Sequence, residues 1–156
     1  MSRAYTGLIR ICGIASALLL GVVAVLVSFD VVVRTIGLGT FPWIVEVSEY
    51  SLPLATFLIA PWLLHRGEHV RIDMVLTALP APLARLVARA ADLLGLAISA
   101  VFLFYGIKVV RDSMGLDSLV IKTMVFPEWW LFLPVPFCFA LLAIEFARRL
   151  RSSFRP

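Results

Sequence analysis

The run ICGIASALLLGVVAVLVSF, Ile11 to Phe29, decides the fold, because it holds nineteen consecutive residues without a charge. At ~1.5 Å of rise per residue, a helix of that length covers ~30 Å, the thickness of the hydrocarbon core of a bilayer. Val31 to Val33 continue the run past Asp30, so a first span is read over 11–36. Arg3 and Arg10 precede it as they would in a signal peptide. The run is too long for the apolar stretch of one, and no small-x-small cleavage site followed by polar sequence closes it, so a retained helix is expected.

The rest of the chain has the same character. Of 156 residues, 62% are hydrophobic and only 15% charged, and the mean hydropathy is +1.01. Ordinary soluble domains use roughly 45–50% apolar residues. The net charge of +4 and a pI near 9.6 do not point to nucleic acid. Such a footprint needs basic residues clustered on a polar surface, whereas here they stand between apolar runs. Cys12 and Cys138 lie inside two of those runs, without metal-ligand spacing, and read as small core residues.

Working outward, Gly37 and Gly39 end the first helix, and Thr40 with Pro42 opens a second over 41–64. The polar stretch from His65 to Asp73 must leave the hydrocarbon and is read as a loop. Beyond it, Leu83, Leu86, Val87, Ala90 and Leu94 recur at helical spacing, with Arg85, Arg89 and Asp92 on the opposite face. That pattern predicts an amphipathic, surface-lying segment over 74–91 and a third span over 92–110. A mixed stretch from Leu119 to Phe126 leads to Pro127 and Glu128, which open a fourth span over 127–147. Trp129 and Trp130 are read as interfacial anchors, with each indole N–H at the wet edge of the bilayer. Kinks are expected at Pro53 and Pro61 and at Pro134 and Pro136. The fold expected is an all-α integral membrane protein, a single domain of four transmembrane helices.

Lysine and arginine placement sets the orientation. With both termini in the cytoplasm, Arg3, Arg10, Arg66, Arg71, Arg85, Arg89, Arg148, Arg149, Arg151 and Arg155 lie inside, and Arg34, Lys108, Arg111 and Lys122 outside. Ten against four is the bias of an N-in, C-in protein. Glu46 and Glu128 then stand near outward-facing helix N-termini, where negative charge is favoured.

Charges close to the hydrocarbon are costly unless paired or hydrated. Asp30 and Arg34, spaced i, i+4, can pair, and Glu46 and Glu49 share a face of the second helix. Together with Trp43 they read as a structural or subunit-interface polar cluster in preference to an ion site. His65 and His69 sit in a glycine-bearing loop, and haem between spans would require histidines at membrane depth. No metal and no cofactor is expected. The chain contains no G-x-S-x-G, glycine-rich phosphate loop or H-E-x-x-H, and no catalytic residue is assigned.

These residues resemble the small membrane subunit, the DctQ-like or Q subunit, of tripartite ATP-independent periplasmic (TRAP) transporters. The resemblance rests on Asp30-x-x-x-Arg34, on Trp43-x-x-Glu46-x-x-Glu49, and on a loop motif of Arg66, Gly67, His69, Val70, Ile72 and Asp73, with Arg71 among them. Leu79-Pro80 and Pro127-x-Trp129 add to it, and it covers nearly the whole chain. It implies a non-catalytic subunit of the bacterial inner membrane that scaffolds a large, multi-span, sodium-coupled transport subunit (the M subunit). A periplasmic substrate-binding protein would deliver organic acids, and membrane lipids would be further partners. Two other readings carry different expectations. A self-sufficient homodimeric exporter of the small multidrug-resistance type would place a glutamate in the middle of its first span, and the anchor of a redox complex would need haem or quinone ligands at depth.

Overall fold

The computed structural model describes residues 3–66, 80–116 and 118–153. These residues form five helices and a small hairpin, in order α1 (Arg3–Thr35), α2 (Pro42–Arg66), α3 (Ala81–Gly115), β1 (Leu119–Ile121), β2 (Val125–Pro127), α4 (Trp129–Phe132) and α5 (Pro134–Ser153). Among the described residues, four stretches are long and apolar enough to cross a membrane: Tyr5–Thr35, Pro42–Arg66, Leu83–Gly115 and Trp129–Arg151. Helix is the expected answer for such sequence, because a single segment in lipid must satisfy its own backbone N–H and C=O groups.

The helices exceed the expected spans. α1 begins eight residues before Ile11, since no proline or positive-φ glycine interrupts Arg3 to Arg10 and Tyr5 is anchored at its far end. α3 runs unbroken from Ala81, so the boundary expected at Asp92 is not a break in the helix; nothing between Leu83 and Asp92 stops one. The part of the amphipathic segment before Pro80 lies outside the described residues. α5 continues past Ala147 through the arginines to Ser153. In the last span the helix is interrupted at Leu133, where Pro134 has no N–H to offer the turn before it.

The chain is also not purely helical. β1 and β2 pair antiparallel, with Leu119 opposite Pro127, Val120 opposite Phe126 and Ile121 opposite Val125. Lys122, Thr123 and Met124 form the three-residue turn, and Glu128 N–H donates to the Ser118 carbonyl at 2.9 Å below the strands. The β-branched and aromatic residues of this mixed stretch suit a strand pair, and their few residues have no helical period to compete with it.

The spans pack in a row. α1 lies against α2, α2 against α5, and α5 against α3; α1 and α3, at the two ends, share no extended face among the described residues. Chain order and spatial order therefore differ, the last span being inserted between the second and third. Close approach along the row uses small residues, as is common where lipid supplies little drive for apolar burial. A Cβ at Gly95 would lie 2.5 Å from the Phe146 ring, and one at Gly13 would lie 2.9 Å from Trp62. Ser16, fully buried, donates its hydroxyl to the Ala55 carbonyl at 2.7 Å. Phe139 of α5 stacks on Phe102 of α3 at 4.7 Å and meets Phe57 of α2 at 6.5 Å. Cys12 and Cys138 are buried free thiols.

Candidate functional sites

Polar chemistry concentrates at the two ends of the row. At the hairpin end, Asp30, 5% exposed, stands one turn before the last turn of α1. One of its carboxylate oxygens accepts from Arg34 at 3.2 Å and the other from the Phe41 backbone N–H at 3.3 Å. Asp30 thus ties the end of α1 to the residue preceding α2. The turn between them is possible because Gly37 and Gly39 adopt φ of 81° and 125°, a region that side chains with a Cβ rarely enter.

One turn into α2, Glu46 is buried and faces the hairpin. Its two oxygens accept the backbone N–H groups of Thr123 at 2.6 Å and Met124 at 2.9 Å, which the strand ladder leaves unpaired. Lys122 reaches back to Glu49, with 2.9 and 3.0 Å to its two oxygens, and stands 5.4 Å from the Tyr50 ring centroid. Hydrogen bonding to Glu49 holds the Lys122 ammonium above its ordinary pKa. Tyr50 meets Phe126 edge to face at 5.4 Å, adding an apolar contact to the polar clasp.

The residues grouped by sequence thus separate into two ties, Asp30 with Arg34 and Glu46 with Glu49, both at the hairpin end. Trp43 is exposed and makes no hydrogen bond or ring contact among the described residues. Trp129 and Trp130 meet edge to face at 5.9 Å at the start of α4, with Trp130 exposed. Of the loop motif, Arg66 lies 4.3 Å over the Trp62 ring, while Gly67, His69, Arg71 and Asp73 lie outside the described residues.

The opposite end holds a site that the sequence reading did not single out. Glu145 of α5 is 5% exposed and bridges three helices. One oxygen accepts the Tyr5 hydroxyl of α1 at 3.0 Å, and the other lies 3.1 Å from His65 Nδ1 of α2. Arg148, one turn further along α5, approaches at 3.6 Å and covers the Tyr5 ring at 4.5 Å. Arg149 donates to the Leu64 carbonyl near the end of α2. The available signal was a lone carboxylate inside the run Leu141 to Ala147, since an ionisable residue in a predicted span calls for a named partner.

Each buried acidic side chain described here is engaged in joining chain elements. The described residues contain no group of three His, Cys, Asp or Glu that could hold a metal ion. What this arrangement does chemically is fix the ends of α1, α2 and α5 and the hairpin relative to one another.

No curated protein matches the chain. A family model described as "Tripartite ATP-independent periplasmic transporters, DctQ component" matches residues 23–155, from the middle of α1 to beyond α5. That interval contains both hairpin-end ties, Glu145 and the three later spans, and it takes in the first span from Val23 onward. The chain belongs to the DctQ family of tripartite ATP-independent periplasmic transporter components and is a small subunit of such a transporter.

Proposed function

We propose that this subunit is an immobile brace for a larger, sodium-coupled membrane subunit that takes up organic acids delivered by a periplasmic binding protein. The observation that carries this reading is the use of Asp30, Glu46 and Glu145 as ties between chain elements. A carboxylate in a coupling-ion pathway must exchange its partners during transport, whereas these three accept hydrogen bonds that define where helices and hairpin begin and end. The row-like packing supports the same role, because it leaves long apolar faces on α1 and α3 for lipid or another bundle.

In this reading both termini are cytoplasmic in the bacterial inner membrane, and the hairpin is periplasmic. Trp129 and Trp130 anchor the periplasmic edge, and the arginine-bearing start of α3 stands at the cytoplasmic side. Family membership does not favour the homodimeric exporter or the redox anchor. Affinity purification of the tagged chain after co-expression with adjacent membrane-protein genes tests the proposal. Recovery of a stoichiometric multi-span partner is expected, and recovery of this chain alone would overturn it.

A further inference from the structure

A groove of about 620 Å³ opens between α2, the hairpin and the start of the last span. Its wall is apolar over most of its length, with Leu54, Phe57, Phe126, Leu131 and Pro134 on it and Ser51 among the exceptions. Along α2 it extends from Val47 to Phe57, a rise of ~15 Å. That is one leaflet's share of a ~30 Å hydrocarbon core. The polar groups gather at one end only. Glu49 lines the mouth and is bonded to Lys122, both side chains being about half exposed at 56% and 45%. Trp130, exposed on the same wall, is the kind of residue found where hydrocarbon meets headgroups.

We infer that the groove holds an acyl chain of an aminophospholipid from the leaflet on the hairpin side, with its headgroup exchanged into the Lys122–Glu49 pair. The lipid phosphate accepts from the Lys122 ammonium, and the lipid's primary ammonium donates to the Glu49 carboxylate. Both charges of the zwitterion then replace the charges that the pair gives up. A headgroup of purely negative charge would meet Glu49 unpaired, and a trimethylammonium has no N–H to donate. The groove's length also discriminates against a partner's transmembrane helix, which would need a track through the whole core instead of one ending at Phe57. The inference requires the chain to span a bilayer but is independent of the bracing role.

Native mass spectrometry of the full-length chain, released from micelles containing equal amounts of phosphatidylethanolamine, phosphatidylglycerol and phosphatidylcholine, tests it. Phosphatidylethanolamine is expected to be retained several-fold above the other two. Lys122→Met and Glu49→Gln, both changes at exposed side chains, should erase that preference, and Leu54→Trp should reduce retention of all three by filling the groove. Equal retention by the unaltered chain, or a preference that survives both headgroup variants, would overturn the proposal. So would a photo-crosslinker at Leu54 that captures a protein in place of lipid in native membranes.

Discussion

The two ends of the helix row solve the same problem differently. At the hairpin end, buried carboxylates accept mainly from backbone: Asp30 from Phe41, and Glu46 from Thr123 and Met124. At the opposite end, Glu145 gathers side chains, with Tyr5, His65 and Arg148 arriving from three helices. A backbone tie fixes a local turn and is insensitive to the identity of the residue that donates. A side-chain knot fixes helices that are far apart in sequence, but every member must be present. The hairpin end should therefore fail locally and the opposite end globally.

Glu145→Ala should produce the largest loss. It leaves the Tyr5 hydroxyl and the His65 ring without their buried acceptor and Arg148 without its ion pair, and leaving a buried polar partner unsatisfied costs about 1–3 kcal/mol. Thermal unfolding in detergent should show a clear fall in midpoint and earlier proteolysis of both termini. A loss confined to α5 would contradict the three-helix role. Glu46→Ala should have a smaller, localised effect: amide exchange at Thr123 and Met124 should accelerate while α1 and α3 retain their protection. Matching acceleration throughout the protein would remove the contrast between the ends.

Ser16→Ala measures the middle of the row, where one interhelical hydrogen bond joins α1 to α2. Such bonds in membrane proteins average about 0.6 kcal/mol, so a loss comparable with that of Glu145→Ala would relocate the strongest tie. The smallest effect belongs to Lys122→Met. The folded-state pKa of Lys122 is raised, so the stability contributed by its pairing with Glu49 is fully present below the unfolded lysine value of ~10.4 and is lost as pH rises through the folded value. Unfolding midpoints of the parent and of Lys122→Met should differ by the same small amount from pH 6 to 9 and converge only above that range.

The legibility of the fold follows the same division. Uncharged runs as long as Ile11 to Phe29 have one backbone solution in lipid, so the existence and number of the spans could be read directly. Their ends could not, because Arg3 to Arg10, Leu83 to Asp92 and Arg148 to Ser153 are polar or mixed without being helix breakers. The Asp30–Arg34 pair was readable because its spacing is local. Glu46 was recognisable as a carboxylate needing a partner, yet that partner is the backbone of a turn 77 residues away. Glu145 stands beside a basic tail, and its bonds to Tyr5 and His65 span 140 and 80 residues. No periodicity encodes contacts at that separation. The hairpin was missed for the opposite reason, since three-residue strands are too short to show an alternation.

Uptake into proteoliposomes assembled from this chain, its large membrane subunit and the binding protein tests the bracing role most directly. The account predicts no uptake by this chain alone, uptake by the full set, and strong loss when this chain is omitted or carries Glu145→Ala. Full uptake without this chain, or uptake by this chain unaided, would contradict it.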